Sequence, residues 1–385
     1  MQIGMFYQIQ VPKPWTADSD HQKYWELLEQ VGYAEEQGLA SVWMADHQFR
    51  SEWSHSSAPD VTLAALSQRT SKIRLGIAVV VPPVQHPLHI AARTATLDIL
   101  SNGRVDLGVG RSGYPYQMAA FGVDLADATG MVDEALEIIP KAWAQGEFTY
   151  QGRHYDIPLR EVHPKPVQKP HPPIWLGCSQ DETFKKAGTM GLGCLAMAGG
   201  GRERLTKMID LYRSGIHEAQ AAGRPAHNRV SAGTVAFCGE NRSRTMERAA
   251  PIIDWYRDQQ VLRDVKVWRE QDPDNVPEDY RWHYQRSAAR STSADSPKRS
   301  EESSLELIQQ GRYCIGDPDD CIRYLEDYEA AGLDEAIPLF QIGSATHEEV
   351  MTTLRLFGKY VIPHFREREV KANTASAKGG PAVIQ

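Results

Sequence analysis

Gln8-Ile9-Gln10-Val11-Pro12-Lys13-Pro14 carries the chain out of its first β-like run, Ile3–Ile9, and contains no glycine. That absence decides between two folds. Seven further β-like runs follow, at Ser41–Ala45, Ile73–Val81, Val105–Val109, Ile174–Gly177, Cys194–Met197, Val230–Cys238 and Ala336–Phe340. Helix-like stretches with apolar residues at helical spacing lie between them: Tyr24–Gln37, Val61–Thr70, Leu88–Leu100, Met131–Gln145, Arg204–Ala221, Pro318–Ala331 and His347–Tyr360. Strands alternating with helices imply a parallel α/β sheet, because parallel strands need crossovers. An open doubly wound sheet would place a glycine-rich phosphate loop after the first strand, and Gln8–Pro14 supplies none. A closed (β/α)8 TIM barrel uses all eight runs and leaves no edge unpaired. It is the expected fold, as a single domain over residues 1–370.

Two segments break the rhythm. His154–Pro173 holds six prolines and is expected to run extended over the barrel. Residues 251–304, most clearly from Trp255 onward, are polar and weakly periodic, with Trp268, Trp282 and Tyr284 scattered through them. An insertion of this length is expected to fold over the barrel mouth as a lid. Residues 371–385, rich in Ala, Gly and small polar side chains, are expected to be disordered.

Composition narrows the function. The net charge of −8 over 385 residues, with no basic stripe, argues against nucleic acid as a partner. The five cysteines, Cys178, Cys194, Cys238, Cys314 and Cys321, form no CxxC pair, so neither a disulfide framework nor a zinc site is expected. No apolar stretch is long enough to span a bilayer, and the N-terminus shows no secretory pattern, which makes the cytoplasm the simplest location.

Barrel chemistry gathers at the C-terminal strand ends. The second run ends Asp46-His47-Gln48-Phe49, and one of Asp46 and His47 should enter the mouth. His47 is suited to acid–base work near neutral pH. Gly76–Val81 offers an apolar wall for a flat ring. Gly108-Val109-Gly110-Arg111-Ser112-Gly113-Tyr114 joins glycines that admit close backbone approach to an arginine able to grip a phosphate. Ser179 after the fifth run, and Gly199-Gly200-Gly201 after the sixth, each precede a helix whose N-terminus favours an anion.

These stretches together resemble the bacterial luciferase-like flavin-dependent monooxygenases over most of Gln2–Phe365. The resemblance rests on Trp43–Phe49, on Gly76–Val81 with His86-Pro87 and Leu97–Arg104, on Leu107–Gly113, and on Pro173–Ser179. It implies that His47 is the active-site histidine and that Ile77-Ala78 forms a non-proline cis peptide under the flavin. It implies that Arg111 and Ser179 hold the flavin phosphate, with Gly177 and Cys178 close by, and Gly199 and Gly200 are expected to bind the cofactor as the second anion-friendly helix start. Gly110 stands where luciferase itself has a cysteine, Gln48 replaces the family's second histidine, and Gln117 stands where many relatives have an acid. Tyr7, Gln8 and Tyr114 are expected to shape the substrate pocket.

The implied reaction uses reduced FMN and O2, through a flavin C4a-(hydro)peroxide, to hydroxylate a small hydrophobic substrate or insert oxygen into it. The chain holds no nicotinamide fingerprint, so a separate NAD(P)H:flavin reductase is the expected partner, and relatives suggest a homodimer or higher homo-oligomer. Two readings compete: hydride transfer with the deazaflavin F420, and a non-catalytic flavin-binding barrel. A metal-dependent barrel hydrolase would want His-x-His after the first strand, where Gln8-Ile9-Gln10 stands.

Overall fold

The computed structural model describes residues 1–198, 201–269, 271–290 and 302–369. Eight parallel strands line up as β1 (Gln2–Ile3 and Met5–Tyr7, parted at Gly4), β2 (Ser41–Met44), β3 (Arg74–Val80), β4 (Val105–Val109), β5 (Ile174–Cys178), β6 (Gly193–Met197), β7 (Val230–Cys238) and β8 (Glu335–Leu339). Each pairs with the next, and β8 returns to pair with β1, closing the barrel. The first strand ends at Tyr7, two residues short of its expected limit. Ile9 has φ +53°, which a β-branched residue adopts only when its surroundings force it, so the extended backbone stops there.

Two indoles fill the barrel interior. Trp43 on β2 and Trp175 on β5 meet edge-to-face at 5.2 Å. Each lies opposite a glycine in register on the next strand, Gly76 and Gly193. A Cβ at Gly76 would lie 2.2 Å from the Trp43 ring, and one at Gly193 would lie 2.5 Å from the Trp175 ring. Bulky and absent side chains thus alternate so that the layer closes without overpacking.

The N-terminal end of the barrel is polar and paired. Ser41 donates to the buried Glu335 carboxylate at 2.5 Å, and Arg74 pairs with Asp106 at 2.5 Å. A glycine stands at position 4 because a Cβ there would lie 2.2 Å from the Ser41 hydroxyl. The proline-rich excursion is also fastened at this end. After an antiparallel hairpin, Phe148–Gln151 with Asp156–Arg160, the Val167 and Gln168 amides donate to the fully buried Asp98.

The insertion is largely helical. Arg242–Arg269 forms one long helix, followed by two short turns and the helix Arg281–Arg290. Val276, Tyr280 and Trp268 pack with Val81 and Met118 in a small apolar cluster separate from the barrel core, which seats the insertion on the loops after β3 and β4. The 371–385 tail and residues 291–301 of the insertion lie outside the described residues.

Candidate active site

The loops after β1, β2 and β4 hold four non-glycine residues at positive φ: Ile9 (+53°), Phe49 (+62°), Ser51 (+44°) and Ser112 (+64°). Such conformations cost about 1–3 kcal/mol each and persist where surrounding structure enforces them. They mark the C-terminal mouth, where a cavity of about 1070 Å³ opens. Gln8, Gly113, Tyr114, Cys178, Ser179, Met197, Gly233 and Val235 come from the barrel side, and Tyr256, Trp268, Trp282 and His283 from the insertion. The insertion is therefore a wall of the cavity, and His283 approaches Gly113 closely. Arg202, Arg204, Arg286 and Arg312 also line it, against one carboxylate among the described residues, Asp327, which lies 3.7 Å from Arg202. In a chain of net charge −8 this is a locally cationic cavity.

The third strand shapes the mouth by a register slip. Ile77 pairs with Leu107, but Val80 pairs with Val109, so the strand bulges between them. The non-proline cis peptide lies within this bulge at Ala78-Val79, one bond beyond the expected Ile77-Ala78. The bulge turns Val79 against three glycines. A Cβ at Gly110 would lie 2.5 Å from Val79, at Gly108 3.1 Å and at Gly177 3.3 Å. The glycines of β4 and β5 thus make room for Val79. Gly110 and Gly177 back the mouth and do not line the cavity.

Tyr7 does not reach the cavity. Its hydroxyl donates to Gln30 on the outer helix Ser19–Glu36, because strand alternation turns Tyr7 outward and leaves Gln8 at the mouth. Gln8 is steadied by Gln10 (2.9 Å), itself tied to Gln341 beyond β8 (3.0 Å).

Arg111 is engaged elsewhere. It donates to Thr129 (3.1 Å) and to the Asp279 carbonyl (2.5 Å), and it lies 4.3 Å from the Tyr280 ring. It secures the insertion and is not among the cavity-lining residues. Ser179 does line the cavity, but its amide and that of Gln180 both donate to Thr183 Oγ1 at 3.1 Å. This internal cap uses the donors expected for an anion, and Asp181 and Glu182 occupy the same first turn. The cations that sequence reasoning missed, Arg202 and Arg204, stand at the start of the next helix, Gly201–Ala221. Gly199 and Gly200 lie outside the described residues.

His47 sits half-buried just past β2, its amide donating to the Ser56 carbonyl at 2.8 Å. It is not among the residues lining the cavity. Asp46 beside it is buried and accepts from Gln48 and Gln85, both at 2.5 Å. Gln48 in turn accepts from Gln117, which accepts from Ser112 at 2.8 Å. Gln48 and Gln117 are thus partners in one network tying the loops after β2, β3 and β4. Gln48 and Gln117 form a matched pair of neutral amides.

Burial pushes the Asp46 carboxyl up to about 6, against the hydrogen bonds from Gln48 and Gln85, which lower it. Between about pH 4 and pH 6 the folded chain keeps a proton that the unfolded chain loses. Stability from this group is therefore complete below pH 4 and falls as pH rises to 6, by about 2–3 kcal/mol. Thermal unfolding of the wild type and Asp46→Asn across pH 4–7 should show this decline only in the wild type; parallel curves would refute it.

The luciferase-like monooxygenase family model matches residues 1–335. The oxygenase component of a flavin-dependent trigonelline monooxygenase from Acinetobacter baylyi is 29% identical over 54% of this chain and 59% of its own length. An F420-dependent glucose-6-phosphate dehydrogenase from Amycolatopsis mediterranei is 25% identical over 89% of this chain and 94% of its own. Among solved structures, the oxygenating constituent of 3,6-diketocamphane monooxygenase from Pseudomonas putida, in complex with FMN, superposes with a TM-score of 0.73. It is 20% identical and covers 94% of this chain and 98% of its own, a likeness of fold. Against the first curated relatives, the matched stretch spans about half their length, 45% to 59%. With 335 of 385 residues matched by one model on a closed eight-stranded barrel, the chain belongs to the luciferase-like monooxygenase family.

Proposed function

We propose that the chain binds reduced FMN in the cavity at the barrel mouth and oxygenates a small organic substrate with O2. The observation that carries this reading is the cavity's composition: among the described residues, four arginines against one carboxylate, beside the apolar side chains of Met197 and Val235 and the aromatic insertion. A flat ring bearing a phosphate fits that combination. Cys178, Ser179, Met197 and Ala198 would flank the ring, and Arg202 and Arg204 would take the phosphate. Bound reduced FMN supplies the two electrons that let dioxygen deliver one oxygen atom to the substrate and release the other as water. Tyr114, Trp53, Tyr256 and Trp268 exclude water from the reacting face. His47 would move a proton at the reacting centre.

A separate flavin reductase fits this reading. The chain carries no nicotinamide fingerprint, and the Acinetobacter baylyi relative is itself an oxygenase component. F420-linked hydride transfer is the second reading, favoured by the F420-dependent relative that aligns over 89% of this chain.

Anaerobic titration with reduced FMN and with reduced F420, each then mixed with oxygenated buffer, tests both. Binding of FMN together with slower appearance of oxidised FMN than in free solution is expected. Exclusive binding of F420, unchanged by oxygen, would replace this reading with the second.

A further inference from the structure

Arg50 lies in the loop after β2, just before the short turn Ser51–Trp53, and is only 7% exposed. A guanidinium stays charged at any physiological pH and is costly to bury without partners. Other buried arginines of the chain are well supplied. The Arg104 guanidinium makes five hydrogen bonds, and Arg257 donates to the Glu302 carbonyl and the Ser304 hydroxyl, both at 3.0 Å. Arg50 has no carboxylate partner among the described residues, and its buried Nη2 has no acceptor. Among the described residues it rests on the Tyr114 ring, whose centroid lies 3.3 Å from the guanidinium carbon. Tyr114 and Trp53 both line the cavity, and Arg50, itself not a lining residue, stands behind the Tyr114 ring in the loop that carries the positive-φ residues Phe49 and Ser51.

We propose that Arg50 recognises a carboxylate on the substrate, and that the substrate is a small aromatic acid whose ring packs among Tyr114 and Trp53. This rests on the reading of the mouth as the oxygenating site. The carboxylate supplies the missing acceptor and counter-charge, and Arg50 offers it the paired N–H geometry that favours carboxylates. A phosphate on the cofactor would satisfy the same nitrogen, but Arg202 and Arg204 already provide for that group.

The test titrates the protein with benzoate and with the neutral benzamide, following tryptophan fluorescence, and separately with FMN and riboflavin. Wild type is expected to bind benzoate at least about tenfold more tightly than benzamide. Arg50→Gln should erase that preference and Arg50→Lys should keep part of it, with FMN affinity unchanged in both. Equal binding of the two probes by wild type overturns the proposal without reliance on any variant. So does a benzoate preference that survives in folded Arg50→Gln. Weakened FMN binding with unchanged riboflavin binding in Arg50→Gln would assign Arg50 to the cofactor phosphate and equally overturn it. A wild type that prefers benzoate but binds no flavin would overturn the cofactor reading alone and leave Arg50 supported.

Discussion

His47→Ala is expected to slow substrate oxygenation by about 10²–10⁴-fold while FMN affinity changes by less than about threefold. The split follows from where the residue sits. His47 is half-buried past the end of β2 and is not among the side chains lining the mouth cavity. Its loss should therefore spare binding and remove a side chain able to carry a proton. The measurement is single-turnover oxygenation with reduced FMN, O2 and an aromatic acid substrate, beside an FMN titration. His47→Gln, which keeps a hydrogen-bonding group but cannot titrate, should recover little of the lost rate. A rate within about threefold of wild type in His47→Ala would remove His47 from the proton chemistry, since a general acid or base contributes far more. A parallel collapse of FMN affinity would make it a structural support of the cavity instead.

Arg104→Met is expected to cost about 3–5 kcal/mol of stability and to leave FMN binding intact. Arg104 is buried at the N-terminal end of the barrel. It donates to the carbonyls of Ser67 (3.0 Å), Thr70 (3.0 Å), Ile73 (2.8 Å) and Ser101 (2.7 Å), and to the Thr70 hydroxyl (2.9 Å). Two of these carbonyls, at Ser67 and Ser101, lie at or just past the C-terminal ends of the helices Pro59–Ser67 and Pro87–Leu100, where carbonyls lack intrahelical donors and a cation is favoured. Methionine fills much of the same volume and satisfies none of them. For a chain of this size the loss corresponds to a fall of about 5 °C in Tm. Arg104→Lys, with a compact ammonium in place of the fork, should recover only part of it. A shift below about 1 °C would mean that water replaces the guanidinium. Lost flavin binding in a folded variant would mean that the two ends of the barrel are coupled, against the usual division between a stability face and a catalytic face.

Arg104 also illustrates how far the sequence can be read. Leu97–Arg104 carries part of the family resemblance, and the helix end at Ser101-Asn102-Gly103 is plain from turn chemistry. That Asp98 anchors the proline-rich segment, and that Arg104 ties two helix ends to a strand, appears only when residues 34 to 70 positions apart meet.

The sequence by itself determined the eight strands, their alternation with helices and the closed barrel. Each is a local or periodic property: apolar runs, helical spacing, the missing glycine after the first strand. Only the tertiary structure decided the rest. The parity of the first strand turned Tyr7 to the outer helix and Gln8 to the mouth. A one-residue register slip against β4 set the position of the bulge. Asp279, 168 residues away, engaged Arg111, and the insertion brought its aromatic side chains to the cavity. Burial made Arg50 conspicuous, although nothing in Phe49-Arg50-Ser51 distinguishes it from a solvated arginine. Register, facing and long-range pairing depend on which distant residue fills the neighbouring space, and no local pattern records that.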